Sequence, residues 1–372
     1  MTTYLSTFIA GLGPPVRQVL KERAPSSAIE LELDGLIVYR TEQGADVIRA
    51  LPFFNNSFIV LRQLPGLGAG RGKEVLDEML ASMLRGDDLS RCIPGRLRGT
   101  FRIVTSWSNV LTSVRRDLLE QVERKISASE RLRPHRGRPD HELWLSYRTE
   151  GYGFFLLRLT SHTSYEKVLA KGELRPELSY ILCWLSEPRE GELVLDPFCG
   201  SGAIPLMRAS QFPRSLILAS DLDEGQVERL KLKVKQSDLR RRVVVRRGDA
   251  RDLSRYDEGS IHKIITDPPW GIFKEVGAEP EAFYREALSE LCRVLAPGGI
   301  MVILFARTEF FLHLVETLSA PLELLASHDI LVSGRKATVY KLRKAATGRQ
   351  NAPRSRPSDS QQAPAVVSSK AL

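Results

Sequence analysis

The sequence predicts an α/β protein: a mainly parallel, doubly wound sheet closed by an antiparallel C-terminal hairpin, preceded by a smaller α+β region. Three observations predict it. From about residue 174 short apolar runs alternate with stretches of helical period, the signature of strands joined by crossover helices. Each of the first four runs ends at an acidic residue or an acidic turn: Asp196, Asp221, Asp249 and Asp267. Before residue 165 strand and helix patterns also alternate, but in shorter pieces that suit small mixed units.

Residues 1–65 read as the first such unit, with strands at 7–9, 29–39 and 58–61 and a helix over 15–22. Residues 66–90 read as a linker and helix, the helix covering 74–84. The glycine-rich run there ends in Gly72-Lys73, but a phosphate loop would need glycine at Leu67 and Ser or Thr at Glu74, so it is a connector. Residues 91–165 form the next unit, from strands at 99–105, 143–147 and 153–159 and an amphipathic helix over 110–126, with the Arg-, Pro- and Gly-rich 131–139 as a loop. Residues 174–343 form the large sheet. Its strands fall at 193–195, 216–219, 243–246, 263–265 and 300–305, its helices at 203–210, 224–236 and 281–294. A hairpin of 330–332 with 338–342 completes it. The tail, 344–372, lacks aromatic residues and is expected to be disordered.

Charge is uneven. The chain carries +9 over 372 residues, and between 85 and 140 thirteen basic residues face seven acidic ones, while five basic residues from Lys344 onward face Asp359 alone. The rest sums to near neutrality, which assigns the positive field to one central segment and the tail. Arginine dominates the segment, and its planar fork matches phosphate oxygens, so Arg131, Arg133, Arg136 and Arg138 are candidate contacts to a polyanion. A solvated basic face is the competing reading. The four cysteines form no CxxC pair and the six histidines no ligand spacing, so no metal is expected. With no apolar run approaching about 18 residues and no leader pattern, a cytoplasmic protein without membrane contact is expected. Oligomeric state has no signature here.

The chemistry concentrates at the strand ends, where an open parallel sheet binds its ligands. Asp196-Pro197-Phe198-Cys199-Gly200-Ser201-Gly202 places glycines where backbone must approach a ligand, although such a loop alone is equally a tight turn. Asp221 follows Asp196 by 25 residues, a spacing that suits a carboxylate accepting from ribose hydroxyls. Asp267-Pro268-Pro269-Trp270 is a grip for a planar amine. Such a nitrogen has its lone pair delocalised, so an acceptor for each N–H must let it pyramidalise; Asp267 and the Pro268 carbonyl offer two, and Trp270 a stacking face. The alternative is a rigid strand-end turn.

These two segments together resemble S-adenosylmethionine-dependent amino-methyltransferases. The resemblance implies a Rossmann-like methyltransferase fold for 174–343 and S-adenosyl-L-methionine as cofactor. It also implies that Asp249 and Ala250 meet the adenine, Asp249 at its exocyclic amine, and that Leu174-Arg175-Pro176-Glu177-Leu178 flanks the methionine end. In architecture, 1–65 is similar to a ferredoxin-like unit and 91–165 to a THUMP RNA-binding domain. The usual basic stretch at that domain's exit is replaced by Tyr165-Glu166-Lys167-Val168-Leu169. THUMP-containing relatives imply structured RNA, tRNA or rRNA, as partner and guanine N2 as acceptor. Adenine N6 in RNA or DNA stays open, because either amine fits the same acceptors. A protein glutamine amide is disfavoured, since that tetrad usually begins with Asn and ends with Tyr. A catalytically silent RNA-binding protein is the remaining alternative. No covalent route is suggested: Cys292 sits in a predicted helix and Cys199 in the cofactor loop.

Overall fold

Side chains alternate between the faces of a strand, and in β1 (Thr2–Thr7) Tyr4 and Leu5 fall in different apolar clusters, one on each face. The computed structural model describes residues 1–346 except 65–71, 86–88, 96, 129–130, 161–172, 271–279, 307, 319–321 and 333. After β1 come α1 (Gly13–Arg23), β2 (Ala28–Leu33), β3 (Leu36–Thr41), α2 (Ala45–Arg49), β4 (Asn56–Leu64), α3 (Lys73–Arg85) and α4 (Leu89–Cys92). Then follow β5 (Gly99–Trp107), β6 (Val110–Leu111), α5 (Arg116–Ser127), β7 (Leu132–Pro134), β8 (His141–Tyr147) and β9 (Gly153–Arg158). The strands make one sheet in the order β2-β3-β1-β4-β9-β8-β5-β6, with β7 beside β5. The antiparallel β4–β9 pair, from Phe58 opposite Arg158 to Leu64 opposite Gly153, joins 1–65 to 91–165 in that sheet. Helices α3 and α5 cover one face through Val75, Leu76, Val122 and Ile126 against Leu143 and Leu145.

Several elements differ from their sequence expectation. The strand expected at 7–9 lies at Thr2–Thr7, because Phe8 and Ile9 leave the sheet to join an apolar cluster. The run 29–39 is two strands, since Gly35 at φ 79° turns the chain between them. The helix expected from 110 starts at Arg116. Val110 and Leu111 instead fold back on Trp107 and Ser106, through Ser108 and Asn109 at φ 47° and 67°, a hairpin turn that no helix accommodates. The loop expected at 131–139 contains β7, parallel to β5.

The second sheet is built from α6 (Pro176–Leu185), β10 (Leu193–Asp196), α7 (Ala203–Gln211), β11 (Leu216–Asp221), α8 (Glu224–Lys235), β12 (Val243–Arg247), β13 (Ile261–Thr266), α9 (Pro280–Val294), β14 (Leu295–Phe305), α10 (Thr308–Thr317), β15 (Leu322–Val332) and β16 (Arg335–Lys344). Its order is β12-β11-β10-β13-β14-β16-β15, parallel except for β16 and β15. The hairpin is longer than its sequence pattern, and the strand expected at 300–305 begins already at Leu295. Lys344 belongs to β16, its amine donating to the carbonyls of Cys292 and Leu295; of the tail expected to be disordered, 347–372 lies outside the described residues.

The two sheets share a core. Val16 and Val19 of α1 and Phe53 pack in one cluster with Tyr180, Ile181 and Phe212, with ring centroids 5.6 Å apart for Phe53–Tyr180 and 4.8 Å for Tyr180–Phe212. Arg23 donates to the Tyr180 hydroxyl and Trp184 to Glu22 across the same junction. Gly11 passes so near β15 that a Cβ there would lie 1.8 Å from the Asp329 carbonyl oxygen.

Candidate functional site

Because β11 and β13 flank β10 on opposite sides, the crossover helices diverge there and leave a crevice at the strands' carboxyl ends. A cleft of about 570 Å³ opens at this point, within the range of small-ligand sites. Asp196, Pro197, Phe198, Cys199, Gly200, Ser201, Asp221, Asp249, Ala250, Asp267 and Pro269 line it, so the structure gathers residues of four strand ends that are up to 73 positions apart in sequence. Gly202, Pro268 and Trp270 are not among the lining residues. Gly202, at φ 97°, has a packing reason: a Cβ would meet the Leu230 side chain of α8 at 2.2 Å.

Backbone bonds hold the glycine loop open. Gly200 donates its N–H to Asp221 at 2.8 Å, Cys199 to the Ser220 carbonyl at 3.0 Å and Gly202 to the Cys199 carbonyl at 2.8 Å. A Cβ on Gly200 would meet nothing within 4 Å, so the loop presents bare backbone to open space. Sequence reasoning missed the tie between this loop and the segment before α6: Ser201 donates to Glu173, and Lys233 donates to both Glu173 and the Ser201 carbonyl. Charge alternation along α8 gave no hint of it, since the contact spans 60 residues.

Asp221 accepts from Gly200 with one oxygen and from Asp223 with the other, leaving each a further acceptor site toward the cleft. Asp249 carries a partner that sequence reasoning did not foresee. Arg251 grips both its oxygens at 2.7–3.1 Å, holding the carboxyl below its usual range, and lies 5.5 Å over the ring of Phe283, another residue of the cleft wall.

Asp196 is 2% exposed, and burial pushes its carboxyl up to about 8, against the Thr266 hydroxyl and Phe198 N–H that it accepts, while the nearby charges of Asp221 and Asp267 add to the rise. Its second oxygen has no hydrogen-bond partner among the described residues. A buried orphan acceptor in a ligand cleft is stabilised by a cationic donor from the ligand. Asp267 keeps part of its surface open, yet surrounding protein pushes it up to about 7, opposed by the Trp270 indole, which donates to it at 2.8 Å. Trp270 is thus bound to the carboxylate and packed against the shared core, while Pro268 is buried. Tyr284 of α9, fully buried, donates its hydroxyl to the Pro269 carbonyl and fixes the segment from below.

Of the expected phosphate contacts, Arg133, Arg136 and Arg138 are exposed; Arg131 donates to the Gly95 carbonyl, and Arg136 lies 3.8 Å from Glu120. Three of the four thiols are buried and poor candidates for a nucleophile. Burial pushes Cys183 and Cys199 far up and Cys292 to about 11. Among the described residues no cluster of three His, Cys, Asp or Glu is placed to hold a metal, and no helix is long and apolar enough to cross a membrane.

The cleft's donors and acceptors fit S-adenosyl-L-methionine in kind: an orphaned buried carboxyl oxygen, a bare glycine loop, and the further carboxylates of Asp221 and Asp249. Similarity to known proteins agrees. Residues 164–321 match the UPF0020 family, described as an RMKL-like methyltransferase domain. A tRNA (guanine(10)-N2)-dimethyltransferase of Methanothermobacter thermautotrophicus is 35% identical over 131 residues, 35% of this chain and 38% of that protein. A tRNA (guanine(6)-N2)-methyltransferase of Thermus thermophilus is 34% identical over 146 residues, 38% of this chain and 42% of that protein. The matched stretch thus spans about two fifths of these relatives. The crystal structure of TrmN from Thermus thermophilus superposes with a TM-score of 0.72 at 23% identity, over 92% of this chain and 100% of that one, which establishes a common fold. Residues 164–321 therefore carry the RMKL-like methyltransferase domain match, in a chain that shares its fold with TrmN.

Proposed function

We propose that this chain transfers a methyl group from S-adenosyl-L-methionine to the exocyclic N2 amine of a guanine in a structured RNA. The observation that carries the reading is Asp267, a carboxylate held at the cleft by a Pro-Pro segment that Tyr284 clamps, one strand away from the orphaned Asp196. The cofactor, when bound, supplies an electrophilic methyl group on a sulfonium. Asp267 accepts one N–H of the target amine. The other N–H is assigned to the Pro268 carbonyl, whose ring lies outside the cleft lining; the Pro269 carbonyl is engaged by Tyr284. Both acceptors bind the nitrogen more strongly as it pyramidalises, so they favour the transition state over the ground state. Asp267 then takes the proton that the methylated amine sheds. Asp221 and Asp249 hold ribose and adenine. The unit at 91–165, with Arg131, Arg133, Arg136 and Arg138, is assigned to RNA phosphate in the manner of a THUMP domain, 1–65 being its ferredoxin-like partner and 66–90 their connection. Guanine N2 is preferred to adenine N6 because the two relatives above are named for guanine N2. Mass analysis of modified nucleosides from cells lacking the protein tests it: loss of N2-methylguanosine is expected, and loss of N6-methyladenosine instead would overturn the choice of base.

Two consequences follow from the geometry. Asp221→Ala should weaken S-adenosylmethionine binding by about 1.5–3 kcal/mol, the worth of a hydrogen bond to a charged group; unchanged affinity by calorimetry would remove Asp221 from the cofactor site. Methyl transfer should also depend on pH through Asp267. Its pKa is raised to about 7, so the accepting form predominates above that pH and is lost below it. Single-turnover rates should rise roughly tenfold per unit up to pH about 7 and level off above. A flat profile between pH 6 and 8 would show that this carboxylate does not titrate in the reacting complex.

A further inference from the structure

Residues 229–247 hold nine basic side chains against one acidic, Asp238, a cluster hidden in the near-neutral sum of everything outside 85–140 and the tail. The structure puts them on α8, the turn after it and β12, which is the edge strand of the methyltransferase sheet. Helix α8 buries Val227, Leu230 and Val234, turns Gln226 and Lys233 toward the cleft and glycine loop, and leaves Arg229, Lys231, Leu232 and Lys235 exposed.

Some of these cations have structural work. Lys233 braces the glycine loop, Lys231 pairs with Glu228, Arg247 with Glu224, and Arg242 donates to the carbonyls of Phe212 and Pro213. Arg229, Lys235, Arg241 and Arg246 do not. They are exposed, and no hydrogen bond or ion pair engages their side chains among the described residues. Arg214, exposed before β11, adds its charge beside Arg242. Like charges this close repel, at a cost that edge-strand protection does not demand, since a few charges suffice to block sheet pairing.

We propose that this helix-and-edge surface is a second RNA-binding face, on the catalytic domain itself, which grips the phosphate backbone next to the reacting nucleotide. The proposal rests on the RNA methyltransferase reading. Its cations are mainly arginines, exposed on a helix, the turn after it and an edge strand, which suits a polyanion read by charge alone. A docked protein would call for an apolar centre, whereas Leu232 is the one exposed large apolar side chain of this stretch. The surface also leads to the cleft. β12 runs directly into Gly248, Asp249 and Ala250, and Arg247 donates to the carbonyl of Leu222, which lines the cleft with them. A backbone lying on the patch is thereby led to the cleft rim, while the arginines of 131–138 hold the RNA from the other sheet.

The test is a charge reversal in the full chain, R229E/K235E/R241E/R246E, with the neutral set R229Q/K235Q/R241Q/R246Q as the milder control. Binding of a tRNA transcript is measured across potassium chloride concentrations. Each phosphate contact contributes roughly 0.7–0.9 to the slope of log affinity against log salt, so the neutral set should lower the slope by about three and the reversal should weaken binding at 0.15 M salt at least tenfold. KM for RNA should rise with kcat retained, and cofactor affinity and melting temperature should not fall. Wild-type affinity and slope in both variants would overturn the proposal, as would loss of binding to polyglutamate with RNA binding intact. Failure of the unmodified protein to bind RNA would instead overturn the RNA reading, so the two failures are told apart.

Discussion

Asp267→Ala should abolish methyl transfer and leave cofactor binding nearly intact. Asp267 lines the cleft, and in the proposed mechanism its interaction with the acceptor nitrogen strengthens as that nitrogen gains tetrahedral character. Loss of one such preorganised contact costs roughly 2.7–4 kcal/mol in the barrier, a hundred- to thousandfold in rate. The substitution also releases the Trp270 indole, which donates to Asp267. Asp267→Asn therefore belongs beside it: the amide oxygen still accepts the indole N–H but offers neither negative charge nor a proton acceptor. Both variants should fall by similar factors in single-turnover assays with labelled cofactor, while calorimetry shows cofactor affinity within about threefold of the original. Full transfer by Asp267→Ala would end the amino-methyltransferase mechanism. Retained transfer by Asp267→Asn alone would show that a neutral acceptor suffices and that Asp267 takes up no proton.

The largest effect on stability is expected far from any motif. Glu192, 7% exposed, is the carboxylate that compensates two buried cations. Arg208 of α7, wholly buried, lies 3.3 Å from it, and Lys263 of β13 lies 3.5 Å away. Burial lowers the pKa of both cations, and the Glu192 charge opposes that shift. Removing it leaves two charges without their compensation, and breaking a buried pair from one side costs about 3–5 kcal/mol. Glu192→Ala should thus lower the melting temperature by on the order of 10 °C. The triple variant Glu192→Leu, Arg208→Met, Lys263→Met should recover most of the loss, because it removes the orphaned charges with their partner. A single variant within about 1 kcal/mol of the original in urea unfolding would contradict this account. The link to function is direct: Arg208 belongs to the helix that follows the glycine loop and Lys263 to the strand that ends before Asp267.

The parallel sheet of residues 174–343 and the place of its cleft were legible in the chain's local pattern. Period-two and period-3.6 patterns are local, and strand ends punctuated by Asp196, Asp221, Asp249 and Asp267 converge in any parallel sheet, whatever the rest of the chain does. The proposed amine grip was legible too, since Asp-Pro-Pro-Trp is contiguous. Tertiary structure decided what depends on residues distant in the chain. Val110 and Leu111 carry helical periodicity but pair back on β5, and a tight turn at Ser108 and Asn109 outweighed a weak local propensity. The expected ferredoxin-like and THUMP-like stretches proved to share one sheet, because the β4–β9 pairing joins segments about a hundred residues apart. Arg251 on Asp249, Tyr284 on Pro269 and Lys233 on the glycine loop were equally invisible, each a side chain whose partner is set by packing. The basic face of α8 and β12 was missed for another reason. Net charge adds over the whole chain, but a phosphate backbone meets only the charges that folding brings to one surface.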